Sequence, residues 1–303
     1  MVHIILIFIF IAVILLFQYN ISFFHSNLGK GVLLFVLLIL FYIDLKLGLL
    51  TLIIILFIYK YEYSIINIHS YIINLDKNKN RYQRTISYYN ASDINGVIPV
   101  DRFSAIYGKT VVLEDWLDKE TIEEIEKVEN NNTREYHHQL TRGGVGCFLS
   151  HLELYKRLIK DNEYNGYLII EDDVQINPEI KSHIDYSLKN IPIDWDIILY
   201  SWIRVGSQPT LHSSIDKVDY FWGMQFYLIN KRGAESIVCE VENVKIDGQI
   251  DSYLSRMCKQ NKLNVYVYNK KIVSENSNQT DIQINIKHDT NIDPYDYKGY
   301  IMR

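Results

Sequence analysis

Residues 167–174 read YLIIEDDV, an apolar run that ends in three consecutive carboxylates. A short apolar run closed by polar residues is the pattern of a buried strand. Three charges at the end of such a strand are costly unless something neutralises them. In open α/β sheets, ligands bind beyond the carboxyl ends of the strands. A hard divalent cation such as Mn²⁺ or Mg²⁺ takes oxygen ligands, often one or two carboxylates plus substrate phosphates. It would also absorb the charge of a diphosphate leaving group. Strand alternation predicts Glu171 and Asp173 on one side and Asp172 on the other. The competing reading of Asp173, or of Asn177, is a helix cap.

Outward from this stretch, strand and helix patterns alternate. Strands are predicted at 71–75 (YIINL), 97–101 (VIPVD), 195–200 (WDIILY), 224–229 (MQFYLI) and 263–268 (LNVYVY). Helices are predicted around 80–89, 178–190, 231–240 and 247–260. Residues 143–146 (GGVG) break the chain. The helix after them carries Phe148, Leu152, Tyr155, Leu158 and Ile159 at spacings of three and four, one buried face. Residues 112–135 read as helix plus loop. The alternation indicates an α/β domain with a largely parallel sheet.

The first sixty residues are different material. Residues 2–17 are uncharged apart from His3, and further apolar runs cover 31–43 and 47–59 around Asp44 and Lys46. A bilayer core needs about 20 apolar residues as helix. Two arrangements fit: two spans, near 2–20 and 31–53 or 38–59, or one span and a hairpin that dips into the membrane. A cleaved leader is disfavoured, because a basic start and a small-residue cleavage site are missing; a buried soluble helical hairpin is the other alternative, disfavoured because nothing polar enough to cover it lies nearby. The chain therefore divides into a membrane-anchoring region, 1–61, and a second domain, 62–303. Few Lys or Arg residues flank the apolar runs, so the side of the membrane is not fixed. With a net charge of -5, nothing in the composition suggests the basic face of a nucleic-acid binder. Cys147, Cys239 and Cys258 are odd in number and far apart, which implies neither a zinc site nor a disulfide framework, but ordinary buried thiols.

Several segments in order resemble glycosyltransferase family 25, which includes bacterial lipooligosaccharide (lipopolysaccharide biosynthesis) and collagen galactosyltransferases. YIINLDKNKNR supplies Asn74, Leu75, Asp76 and Arg81; GGVGCFLSH supplies Gly143, Gly146, Cys147, Ser150 and His151; LIIEDDV supplies the acidic motif. WGMQFYLINKRGAESIV, KIDGQIDSYL and QTDIQ follow, the last with Thr280 where the family has serine. The resemblance spans roughly residues 70–282. It implies a GT-A nucleotide-sandwich fold, bound Mn²⁺ (or Mg²⁺), a nucleotide-sugar donor and inversion at the sugar carbon. UDP-galactose or UDP-glucose is favoured by analogy. The acceptor is a hydroxyl on a glycan, glycolipid or protein.

On this reading Glu171 and Asp173 hold the metal and Asp172 contacts the ribose or sugar. Asn74, Leu75, Asp76 and Arg81 bind the nucleotide, and Ser150 and His151 lie beside the donor. The alternatives are a core histidine for His151, a surface arginine for Arg81, and packing for Cys147, Trp195, Trp202 and Trp222. Inverting transfer needs a base within reach of the acceptor hydroxyl. Asp247 and Asp251, four apart and so on one helix face, are the expected catalytic carboxylates, Asp247 first; a helix cap is the plain alternative. A rival to the whole reading is a non-catalytic membrane scaffold that retains the transferase fold.

Overall fold

The computed structural model describes residues 66–270, 272–275 and 284, with scattered positions between 38 and 53. The chain divides into two compact units, 1–65 and 66–303. In the first, the described positions between 38 and 53 are helical. Among the described residues no helix is long and apolar enough to cross a membrane. The rest of the expected anchoring region lies outside the described residues, as does QTDIQ.

The second unit begins with β1 (Ile68–Asn74), α1 (Lys79–Asn90) and β2 (Val100–Ser104), followed by a 3₁₀ turn at Gly108–Thr110 and α2 (Lys119–Asn131). Next come α3 (Arg142–Lys160), β3 (Gly166–Glu171), β4 (Val174–Ile176), α4 (Ile180–Asn190) and β5 (Ile197–Leu199). β6 (Arg204–Pro209), β7 (Ile215–Trp222), β8 (Phe226–Asn230), α5 (Lys231–Asn243), α6 (Ile250–Lys259), β9 (Val265–Tyr268) and β10 (Val273–Glu275) complete it. Eight strands form one sheet in the order β2-β1-β3-β8-β5-β9-β7-β6, and β4 pairs with β10 separately.

The sheet is mixed rather than largely parallel. β1 is parallel to both β2 and β3, and β5 to β9, but β8 runs antiparallel between β3 and β5. β6 and β7 form an antiparallel pair, with β7 antiparallel to β9. A strand that returns from this β6–β7 excursion enters the sheet in the opposite sense, which alternation of strand and helix patterns alone does not disclose. β4, β6, β7 and β10 were not predicted; β2 begins three residues later than expected, after Pro99.

Both sheet faces are covered, so β1, β3, β5 and β8 each feed two cores. Tyr71, Ile73, Tyr167, Ile169, Ile197, Leu199, Tyr227 and Ile229 join one core with residues of α2, α3, α5 and α6. Ile72, Leu168, Ile170, Ile198, Phe226 and Leu228 join the other with Tyr89 of α1 and Ile180 and Ile184 of α4. The sharing follows from the two-residue period of a strand. Burial of each such Ile or Leu stabilises the fold by about 1.5–3 kcal/mol. Trp195 and Trp222 belong to the buried interior, and Trp202 packs partly buried against the first core; none of the three lines the cavity described below.

The glycines of GGVG do not break the chain before α3; they lie inside its first turns. Thr141 caps the helix by accepting a hydrogen bond from the Gly144 amide, 3.0 Å. The glycines serve close approach. A Cβ on Gly146 would lie 2.5 Å from the Ile106 carbonyl oxygen, and one on Gly108 would lie 1.7 Å from that of Arg142. Helix and 3₁₀ turn therefore meet backbone to backbone, and Ser150 fastens them. Its Oγ accepts from the Ile106 amide at 2.8 Å and donates to the Gly146 carbonyl at 2.7 Å.

This contact predicts that Gly146→Ala costs about 1–3 kcal/mol through overpacking against backbone. At Gly96, whose φ is +74° and whose Cβ would meet nothing within 4 Å, alanine should cost about 1–2 kcal/mol from backbone conformation alone. Urea denaturation of both variants checks this. A neutral Gly146→Ala would show that the helix and turn are not in contact.

Candidate functional site

β1, β2 and β3 are parallel neighbours, so the loops after them open at one end of the sheet. The register sets Ile73 of β1 against Glu171 of β3 and Asn74 against Ser104 of β2. The acidic motif thus emerges beside the Asn74 loop. β3 ends at Glu171, and Asp172 and Asp173 form a turn. Strand alternation stops there, which overturns the expected opposite placement of Asp172 and Asp173. Both accept from the same guanidinium: Arg81 Nη2 lies 2.5 Å from Asp172 Oδ1 and 3.1 Å from Asp173 Oδ2.

Asn74 is the hub beneath this turn. It is 1% exposed. Its amide nitrogen donates to Asp172 Oδ2 at 2.5 Å and to the Asn78 carbonyl at 3.0 Å. Its Oδ1 accepts from Arg102 Nε at 2.9 Å. Arg102 also donates to the Asn74 carbonyl and to Asp76 Oδ1 at 2.6 Å. Thr85 of α1 donates to the Asp172 carbonyl at 2.9 Å. Burial pushes the Asp172 carboxyl above its ordinary range, despite Asn74 and Arg81, which favour its charge. Hydrogen bonds from Arg102 and Ser104 hold the exposed Asp76 below its ordinary range.

A cavity of about 480 Å³ lies over this end of the sheet. Asn74, Leu75, Arg81, Ser150, His151, Glu171, Asp172 and Asp173 all line it. The sequence expectations converge on one place for these eight. Ser150 does so with its hydroxyl engaged in the helix–turn contact. Arg81 is not a surface arginine: its side chain is 16% exposed and paired. Asp76 lies alongside, turned to Arg102 and Ser104 rather than lining the space.

Asp247 and Asp251 do not line the cavity. Asp247 precedes α6 rather than sharing its face with Asp251. Arg256 holds both its oxygens, Nη1 to Oδ2 at 2.5 Å and Nη2 to Oδ1 at 2.8 Å. Asp251 is buried, with His137 Nε2 at 3.1 Å and the amides of Gly223 and Ser252 donating to it. Burial alone would raise its pKa; His137 and the two amides outweigh that and hold the carboxyl below its usual range. Asp247 joins the segment before α6 to Arg256 on that helix, and Asp251 joins α6 to His137 and Gly223.

Other lining residues were not singled out from the sequence, although Lys77 lies within YIINLDKNKNR. Lys77, Tyr107, Lys109, Glu129 and Arg142 bring cationic and aromatic groups to the cavity. Lys77 Nζ sits 5.3 Å above the Tyr107 ring. These residues come from loops and helix ends separated by up to 65 positions, so only the fold joins them.

His151 is fully buried on α3. Its Nδ1 lies 2.7 Å from the Tyr227 hydroxyl, itself 2.6 Å from that of Tyr155. Its Nε2 has no hydrogen-bond partner and faces Glu171 Oε1 at 3.6 Å, beyond hydrogen-bond range. Cys147 lies one turn earlier, and its thiol is pushed well up by burial and by the Glu171 charge. Of the three cysteines only Cys258 is buried; Cys147 is partly so and Cys239 is exposed.

The profile of Glycosyltransferase family 25 (LPS biosynthesis protein) matches residues 67–254. A procollagen galactosyltransferase 1 of Danio rerio is 28% identical over 137 residues, 42% of this chain and 22% of that protein. A procollagen galactosyltransferase 2 of Homo sapiens is 32% identical over 108 residues, 33% of this chain and 17% of that protein. The chain thus spans about a fifth of the length of each. Superposition on mouse xyloside xylosyltransferase 1 gives a TM-score of 0.35 at 12% identity, covering 66% of this chain and 84% of that one.

Arg81 pairs with both turn aspartates, so its removal should be felt as uncompensated charge. A carboxyl whose folded pKa is raised binds its proton more tightly folded than unfolded. Stability is then greatest below the ordinary value and falls as pH rises through the folded value. Arg81→Ala should raise the Asp172 value further and cost about 3 kcal/mol near neutral pH. Part of that loss should return as pH falls toward the ordinary carboxylate value of 3.8. Adding Asp172→Asn should restore part of it near neutrality. Urea denaturation at two pH values measures both effects; a loss independent of pH would contradict the charge argument.

Proposed function

The chain belongs to glycosyltransferase family 25, and from that premise we propose that it transfers a hexose from a nucleotide-sugar donor to a hydroxyl acceptor. The observation that carries this reading is the gathering of Asn74, Arg81 and the Glu171–Asp173 turn in one cavity, inside the family-matched segment. Galactose is the favoured sugar, because the named relatives are galactosyltransferases. A UDP-hexose donor, a GT-A arrangement and inversion at the sugar carbon belong to the same reading.

The residues divide the work. The donor occupies the cavity, with its diphosphate between the acidic turn and the cationic groups Lys77, Lys109 and Arg142. Arg81 keeps Asp172 and Asp173 in place, and buried Asn74 holds the Asp172 carboxylate from beneath. Glu171 and Asp173 suit Mn²⁺ or Mg²⁺: both line the cavity, and the Glu171 carboxylate lies 3.6 Å from the His151 Nε2, beyond hydrogen-bond range. When bound there, such a cation offsets the charge of the departing diphosphate. The proton of the acceptor hydroxyl goes to a carboxylate of the cavity wall, since Asp247 and Asp251 are committed to Arg256 and His137. Membrane anchoring through residues 1–61 is part of the proposal, as it would hold the enzyme at a surface where glycolipid or lipid-linked acceptors are made.

The test uses the full chain purified in detergent, Mn²⁺ and a panel of UDP-, GDP- and CMP-sugars, with nucleotide release as readout. Release from a UDP-hexose that falls at least ~100-fold in Asp173→Ala is expected. Equal release by the variant would remove Asp173 from the site. If no sugar nucleotide is turned over or bound by folded protein, the transferase reading fails and the scaffold replaces it.

Anchoring has its own test. Expressed in cells, the full chain should stay with membranes through alkaline extraction, and a chain starting at residue 62 should not. Release of the full chain by that wash would reject insertion.

A further inference from the structure

Cys147 and His151 are four residues apart on α3, so they share one face of the helix. Glu171 meets them from the end of β3. One ligand atom from each of the three lies within 4.8 Å of the other two. A tetrahedral metal with bonds of about 2.0–2.3 Å holds its ligands roughly 3.3–3.8 Å apart. The 3.6 Å between His151 Nε2 and Glu171 Oε1 already falls in that range. Among the described residues this is the single group of this kind.

An independent observation points the same way. His151 is 0% exposed, yet its Nε2 has no hydrogen-bond partner. A buried polar atom left in this state costs about 1–3 kcal/mol. Its other nitrogen is held by Tyr227, which is backed by Tyr155. If Nδ1–H donates to the Tyr227 oxygen and Tyr227 donates to Tyr155, the Nε2 lone pair points at Glu171. Outer hydrogen bonds of this type fix the tautomer and orientation of metal-binding histidines.

We infer that Cys147, His151 and Glu171 form a three-ligand site for a thiophilic divalent metal of the Zn²⁺ or Co²⁺ class. A sulfur, nitrogen and oxygen set favours these ions over Mg²⁺ or Mn²⁺. All three residues line the cavity, so a fourth position stays open to water or to a ligand oxygen, as in three-ligand zinc sites that bind substrate. Binding converts the Cys147 thiol to thiolate, its proton passing to solvent. The site stands on its own geometry but shares Glu171 with the proposed Mn²⁺ reading, so the two metals would compete.

Cobalt reports the ligand set directly. The full chain, stripped of metal, is titrated with Co²⁺ and followed by absorption. A thiolate-to-cobalt charge-transfer band in the near ultraviolet, saturating at one equivalent, is expected. Cys147→Ser should abolish the band, and His151→Ala should weaken Co²⁺ binding on the order of 100-fold or more. Circular dichroism confirms that the variants fold. Cobalt bound without a thiolate band would assign the metal to the carboxylates alone and overturn the site. So would a band that persists in Cys147→Ser, which would come from Cys239 or Cys258, or an absence of cobalt binding by the wild-type chain, a result that needs no variant. Nucleotide release from sugar donors is read separately, so either proposal can fail without the other.

Discussion

Two of the three carboxylates beyond the last residues of β3 are adjacent aspartates that must share a turn, and the architecture around them is the answer to that electrostatic problem. Parallel pairing brings Asn74 of β1 level with the turn, where its amide can donate to Asp172. α1 returns Arg81 over the same place, and Arg81 meets both aspartates. β2 supplies Arg102, which locks the far side of Asn74. Each partner comes from a different element, so the turn can form only when β1, β2, β3 and α1 are assembled. The carboxylates make this corner of the sheet cooperative, and their partial burial raises the energetic stake of every contact.

A second constraint, steric rather than electrostatic, closes the opposite wall. α3 approaches the 106–108 segment so closely that neither Gly146 nor Gly108 has space for a Cβ. Glycine inside a helix sacrifices about 1 kcal/mol relative to alanine. Here that loss is exchanged for placement, because the same turn of α3 that carries Gly146 also carries Cys147 and sets Ser150 and His151. Were the helix held away by even one methyl group, His151 Nε2 would no longer sit 3.6 Å from Glu171. The glycines, silent in chemical terms, decide which atoms of α3 meet the end of β3.

What the sequence made legible follows the range of its signals. β1, β3, α3 and α5 announce themselves through local apolar pattern, and the acidic motif through its improbable position after a buried run. β6 and β7 did not: their burial alternates irregularly, interrupted by a register shift at Gly206–Ser207. The antiparallel insertion of β8 depends on that excursion and was equally hidden. Alternation misplaced Asp172 because the strand stops one residue earlier. Charge and spacing do not reveal that Asp247 precedes the helix and meets Arg256, whose two nitrogens contact both its oxygens. Lys77, Lys109 and Arg142 are ordinary in sequence; only the folded loops make them neighbours of the acidic turn.

The carboxylates of the motif consequently divide by their degree of satisfaction. Asp172, hydrogen-bonded by Asn74 and paired with Arg81, has its charge answered from within the chain, and its burial makes it a fixed part of the scaffold. Asp173 shares the same guanidinium at longer range and also faces the cavity. Glu171 differs from both: its carboxylate looks toward a histidine nitrogen that is itself unsatisfied, across a gap too wide for a hydrogen bond and suitable for a shared cation. A motif of three like charges thus grades from structural to available along its length, and the available end is the one that still attaches to a strand. Chemistry at the rigid end of β3 requires less reorganisation than chemistry on the turn, because β1 on one side and the Gln225 carbonyl, just before β8, on the other fix the backbone of Glu171.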